Sequence, residues 1–297
     1  MRYHPLGASD LVVSEISYGC MSLGQDDQAN ARLIHRACEL GINLFDTADM
    51  YGKGQNELTL GKALKDRRDQ VLIASKVGNQ WRPDGSGWDW NPRKAYILEA
   101  VENSLRRLQT DYLDLYQLHG GTIDDPIDET IEAFEWLQAQ GKIRWYGISS
   151  IRPNVIGEYL RRARIVSVMM QYSLLDRRPE EAILDLLAAH NTSIIVRGAL
   201  AKGLLAGKPP REYQEHSETD VAAIAFGLAA HAGTGSLAQA ALRYSLSHPA
   251  VATVAAGASS LSQLEENAAA GDLPPLSQEE KKALQALGSA GMYEQHR

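Results

Sequence analysis

The chain has 297 residues, 44% of them apolar and 23% charged, which excludes disordered, collagen-like and coiled-coil classes. Thirty Lys and Arg against 37 Asp and Glu give a net charge of −7, and without a run of basic residues neither nucleic acid nor an anionic membrane is an expected partner. The two cysteines, Cys20 and Cys38, are too few for a disulfide framework and lack Cys-x-x-Cys spacing.

The first residues, Met1-Arg2-Tyr3-His4-Pro5, lack the apolar stretch of a signal peptide. The longest nearly unbroken apolar run, 221–230, is far too short to span a bilayer. A cytoplasmic protein is therefore expected. Two short β-rich runs at 3–6 and 11–13 flank Gly7-Ala8-Ser9-Asp10 and predict a small hairpin. Eight further β-rich runs follow, at 16–19, 43–46, 71–76, 113–119, 143–148, 166–171, 193–197 and 251–255. Between them lie stretches of helical periodicity such as 93–108, 127–140 and 180–190. Ser277-x-x-Glu280 forms a capping box ahead of a last helix at 277–287. Eight βα units in roughly 250 residues are the count of a (β/α)8 TIM barrel, an α/β fold with the hairpin as an N-terminal cap and an extra C-terminal helix. A doubly wound sheet usually needs a glycine-rich fingerprint after its first strand, and Tyr18-Gly19-Cys20-Met21-Ser22-Leu23-Gly24 has its glycines in other places. With no linker or internal repeat, one domain over 1–297 is expected.

Barrel enzymes carry their chemistry at the carboxyl ends of strands. The second run ends in Asp46, the third in Lys76 and the fourth in His119, with Tyr51 in the loop that follows Asp46. An acid, a cation and an imidazole thus reach one mouth together with a phenol. The ordinary pKa of a phenol is about 10, an adjacent ammonium favours its ionised form, and a carboxylate beside that ammonium keeps it charged. The four groups suit the protonation of a carbonyl oxygen, with His119 orienting it. No second acid, activated nucleophile or metal-ligand cluster accompanies them, so the electrons are expected from a hydride-donating cofactor.

These residues lie in ordered motifs: Gly41-Ile42-Asn43-Leu44-Phe45-Asp46-Thr47-Ala48-Asp49-Met50-Tyr51-Gly52, Ser75-Lys76, Asp111-Tyr112-Leu113-Asp114-Leu115-Tyr116-Gln117-Leu118-His119 and Gly147-Ile148-Ser149-Ser150. Gln171-Tyr172-Ser173, Gly203-Leu204-Leu205-Ala206-Gly207-Lys208 and Gly257-Ala258-Ser259-Ser260 with Gln263, Glu266 and Asn267 complete the series. Over residues 6–267 the sequence resembles the aldo-keto reductase family. The resemblance implies an enzyme that interconverts carbonyls and alcohols with NADPH, NADH being a further possibility. It implies Tyr51 as the general acid, Lys76 and Asp46 as its tuning pair, and His119 as the orienting group. Ser149, Ser150 and Gln171 fall where the family holds the nicotinamide carboxamide. Arg197, Gly198, Leu200, Lys202, Gly203 and Leu205 correspond to the segment around the ring and pyrophosphate. Gly257, Ser259, Ser260, Gln263, Glu266 and Asn267 correspond to the adenosine end, where a helix N-terminus suits phosphate.

Two positions depart from the family pattern: Ser150 stands where Asn is frequent, and Arg197 where many members have a Tyr stacked on nicotinamide. The 2′-phosphate end carries the neutral Ser259, Ser260 and Gln263, so a modest preference for NADPH is expected. Trp81, Trp88 and Trp90 fall in the loop 78–91 beside Lys76 and suggest an aromatic wall for a small-molecule carbonyl substrate. The alternative function is a cofactor-sensing regulatory module similar to the potassium-channel β subunits of this fold.

Overall fold

A computed structural model describes every residue except Thr234. The strands in chain order are β1 (Tyr3–Pro5), β2 (Val12–Ser14), β3 (Ile16–Gly19), β4 (Leu44–Asp46), β5 (Leu72–Val77), β6 (Asn79–Trp81), β7 (Trp88–Trp90), β8 (Leu113–Leu118), β9 (Ile143–Ser149), β10 (Ser167–Gln171), β11 (Ser193–Arg197) and β12 (Val251–Ala256). The α-helices are α1 (Asp27–Glu39), α2 (Gln55–Leu64), α3 (Lys94–Leu108), α4 (Ile127–Ala139), α5 (Pro153–Arg162), α6 (Ile183–Ala189), α7 (Glu218–Ala230), α8 (Leu237–Ser245), α9 (Leu261–Ala269) and α10 (Gln278–Gln285). Strands β3, β4, β5, β8, β9, β10, β11 and β12 pair in parallel and close into a barrel, the last joining the first through Val254↔Ile16. Each expected strand run coincides with one of these to within a residue or so at its ends.

Alternation along the strands divides two cores. Inward-facing Leu44, Ala74, Leu115, Met169, Ile195 and Ala252 fill the lower barrel and meet Leu6, Leu11 and Val13 of the β1–β2 hairpin, which seals the floor. Outward-facing residues such as Tyr116 and Tyr146 pack under the helices, where Phe134 of α4 stacks on Tyr146 with an interplanar angle of 4°. The helices begin where the sequence offers caps: Ser217, Ser236 and Ser277 each close a capping box, the last starting α10 as expected.

Two expectations change. The helix over 180–190 is a short 3₁₀ turn (Arg178–Glu181), a break at Ala182 and then α6. Glu180 explains the break, because it accepts hydrogen bonds from Tyr172 (2.8 Å), Arg177 (3.0 Å), Gln285 (3.0 Å) and Tyr244 rather than pointing along a helix face. The loop 78–91 is itself a two-stranded hairpin, β6 pairing with β7 through Asn79↔Trp90 and Trp81↔Trp88, with Asp84-Gly85-Ser86-Gly87 between the strands. No helix among the described residues is long and apolar enough to cross a membrane.

Candidate active site

Asp46 ends β4 and Lys76 lies near the end of β5, both buried. The Lys76 ammonium donates to both Asp46 oxygens and to the carbonyl oxygen of Thr47, each at 2.7 Å. Its three protons are thereby all engaged. Burial opposes the ammonium, but the Asp46 carboxylate and the Tyr51 phenol together hold Lys76 above its ordinary range. Tyr51 stands over this pair, with Lys76 Nζ 5.2 Å from its ring centroid. The chain after Tyr51 turns through three consecutive positive φ values, Gly52, Lys53 and Gly54. At Gly54 a Cβ would lie 2.7 Å from Arg107 Cδ, so only glycine lets Arg107 pass to the buried Glu57.

His119 follows β8, its backbone N–H continuing the ladder to Val77 O at 2.8 Å. Its ring meets Tyr51 edge-on, with centroids 5.8 Å apart. Burial, with help from Lys76 and Arg197, pushes its pKa down to about 3, so the imidazole is neutral. Tyr51 departs from the sequence expectation. Burial raises it more than the Lys76 ammonium lowers it, and the phenol holds its proton firmly in the free protein. Asp49, in the same loop, is pushed up to about 8 by burial and by the neighbouring Glu57, so it is mostly a neutral acid at pH 7.

These groups open into a cavity of about 1130 Å³, whose lining includes Asp46, Tyr51 and His119 as well as Gly257, Ser259, Gln263, Glu266 and Asn267. Ser149, Ser150, Gln171, Arg197, Gly198, Leu200, Lys202 and Gly203 line it too. The remaining expected residues sit elsewhere. Leu205 is buried in the core, and Ser260 caps α9 by accepting from Gln263 N–H. Ser259 N–H is likewise engaged, by Gln263 Oε1 at 3.0 Å, so two of the amides around this helix start, those of Ser259 and Gln263, already have side-chain partners. Gln171 is held on both sides: Oε1 accepts from Arg197 at 3.0 Å, while Nε2 donates to Asp176 at 2.7 Å and Tyr213 at 3.1 Å. The three tryptophans lie on the β6–β7 hairpin beside the mouth and are not among the lining residues. Trp90 donates to both Asp125 oxygens at 3.0 Å, Lys53 sits 5.1 Å from the Trp81 ring, and Trp88 is 46% exposed.

The aldo/keto reductase family model matches residues 15–289. The chain belongs to the aldo-keto reductase family. This reductase superposes on aldo-keto reductase AKR11C1 of Bacillus halodurans in its holo form with a TM-score of 0.96, at 54% identity, covering 100% of this chain and 99% of that one. It is 49% identical to the oxidoreductase YqkF of Bacillus subtilis (strain 168) over the full length of both. It is 33% identical to the NADH-specific methylglyoxal reductase of Escherichia coli (strain K12), covering 72% of each chain. The reductase is thus an oxidoreductase by family.

Several lining residues escape a reading of strand ends. Gly120, Gly121, Ile151 and Arg152 directly follow the fourth and fifth barrel strands, so the strand-end rule applied one or two residues further would have found them. Tyr213, which steadies Gln171, comes from the long connection before α7. No local pattern marks it.

Proposed function

We propose that the protein reduces aldehydes and ketones to alcohols with NADPH, accepting NADH less well, and that the barrel, hairpin and C-terminal helix act as one catalytic domain. The observation that carries this reading is the buried Asp46–Lys76 pair set beneath Tyr51, beside the neutral His119, in the wall of one large cavity.

The lining residues fit a dinucleotide. The cavity continues from the tetrad past Lys202, Gly203 and Lys208, whose cations and left-handed turn suit a pyrophosphate, to polar Ser259, Gln263 and Asn267. The nicotinamide, when bound, supplies the hydride. Tyr51 supplies the proton to the carbonyl oxygen, the Lys76 ammonium stabilises the phenolate left behind, and Asp46 keeps that ammonium charged and aimed. His119, neutral, donates its ring N–H to the same oxygen and fixes its direction. Gln171 and Ser149 suit the carboxamide, and Arg197, pinned to Gln171 Oε1, suits the edge or face of the ring. The adenosine end has no cation, and Glu266 lines it, so the preference for NADPH is modest. The aromatic hairpin beside the mouth favours flat aryl carbonyls over short aliphatic ones.

The test is single-turnover hydride transfer to a benzaldehyde, with dissociation constants for both cofactors. Tyr51→Phe keeps the ring and removes the acid, so the rate falls about 10²–10⁴-fold while NADPH affinity stays within about twofold. A Tyr51→Phe protein transferring hydride at the wild-type rate would remove the mechanism. NADH binding more tightly than NADPH would overturn the cofactor assignment.

A further inference from the structure

The reading of His119 as a donor to the carbonyl oxygen requires that the single proton of its neutral ring sit on the nitrogen facing the cavity. Something else must then satisfy the other nitrogen. Nδ1 is buried with no partner among the described residues. Its charged and phenolic neighbours are poorly suited to donate. Lys76 spends its three protons on Asp46 and Thr47, the Tyr51 ring meets the imidazole edge-on, and Arg197 is bonded to Gln171.

One unused donor lies on the same strand. Gln117 precedes His119 by two residues, which places both on the inward face of β8 in line with the core residue Leu115. Its register partners are Lys76 on β5 and Gly147 on β9. The side chain is fully buried, yet neither Nε2 nor Oε1 has a partner. A buried amide with both ends unpaired is costly, and here it is carried two residues before an unpaired imidazole on the same inward face, a Cα spacing of about 7 Å that sets the two side chains next to each other. One internal water between such neighbours satisfies polar groups of this kind.

We infer that Gln117 is a positioning residue for His119: its side-chain amide, bridged by one internal water, holds a donor against Nδ1 and so leaves the ring proton on Nε2, facing the substrate oxygen. This rests on the proposed role of His119 but is read by a measurement that needs no turnover. Above the apolar layer of Leu115, Leu or Met at 117 would pack without adding a further unpaired polar group to the interior. The amide there is explained by what it does for His119.

Long-range ¹⁵N–¹H NMR of the imidazole side chains tests it, His119 being assigned by the signal lost in His119→Asn. The expected spectrum of the wild-type protein shows His119 protonated at Nε2 and bare at Nδ1. Gln117→Met yields mixed tautomers and lowers kcat for aldehyde reduction about tenfold, with NADPH affinity and KM within about twofold. Gln117→Glu does more damage, because a carboxylate accepts from Nδ1–H and reverses the tautomer. A wild-type ring protonated at Nδ1 overturns the inference even if both variants fail to fold, and so does a Gln117→Met protein whose His119 signals are unchanged. Failure of the Tyr51 assignment leaves these spectra untouched, so the two outcomes are separable.

Discussion

Burial beside the cations Lys76 and Arg197 holds His119 down at about 3, well below the ordinary histidine value near 6.5. A ring whose pKa is lowered this far loses its extra proton before pH 5 and stays neutral above it, so the proposed donation would not require it to ionise. Initial rates of NADPH oxidation with a benzaldehyde should give kcat/KM without an inflection near 6.5. An acid limb centred there that vanishes in His119→Gln would show that the imidazolium is the active form. Tyr51 is the cleaner residue on which to test proton donation than Lys76. Removing the Lys76 ammonium strands the buried Asp46 carboxylate, a change that costs about 3–5 kcal/mol of stability in such pairs and would mix folding with catalysis. Removing the hydroxyl of Tyr51 leaves the Asp46–Lys76 pair in place.

The β6–β7 hairpin is an aromatic element that directly follows β5. It is anchored at Trp90, whose indole N–H reaches Asp125, and at Trp81 beneath Lys53, while Trp88 projects to solvent. Gly78, at φ +127, has its hydrogen pointing at Trp90: a Cβ there would come within 2.5 Å of the indole. The hairpin therefore leaves β5 at one angle, with Trp88 exposed on it, next to the substrate end that the proposed function assigns. Benzaldehydes should outperform propanal in kcat/KM. Trp88→Ala should cut the benzaldehyde value about 3- to 10-fold, the worth of roughly one aromatic contact, and leave propanal within about twofold. Equal losses for the two aldehydes, or none, would take the hairpin out of substrate recognition.

For the molecule as a whole, one buried carboxylate ties the floor of the barrel to distant segments. Glu15, buried between the hairpin and β3, pairs with Arg243 at 2.6 Å, Arg2 at 2.8 Å and His4 at 2.8 Å, joining α8 and the chain start. Burial works against its charge, but these three partners bring its pKa down to about 2. A folded-state pKa below the unfolded value of about 4.3 means that the carboxylate stabilises fully above pH 5 and stops doing so as pH falls through 2. Urea unfolding should therefore show stability declining between pH 5 and pH 2. Glu15→Gln should flatten that decline and be about 3–5 kcal/mol less stable at pH 7, because Arg243 is left buried without its charge partner. A variant with wild-type midpoints at both pH values would place the floor's stability elsewhere.

Much of this protein is legible along the chain because the information is local. Strand runs and caps depend on neighbours within a few residues, and a barrel turns strand ends into a mouth by a fixed rule, so the sequence alone groups Asp46, Lys76 and His119. Tyr51 followed from the same motif. The hairpin at 79–90 was less legible, since its pairing competes with a polar, glycine-containing turn that reads as loop. Burial was invisible to the sequence, and burial decides the electrostatics: it reverses the expected direction for Tyr51, neutralises His119 and raises Asp49 to about 8. Contacts across the fold were equally out of reach. Glu180 breaks a periodic helix because Tyr172, Tyr244 and Gln285 arrive from three other segments, and Tyr213 steadies Gln171 from 42 residues away. Periodicity and strand-end chemistry are properties of short stretches and were determined by sequence alone. Charge states and long-range partners depend on which distant groups share a dry interior, and only the closed barrel decides that.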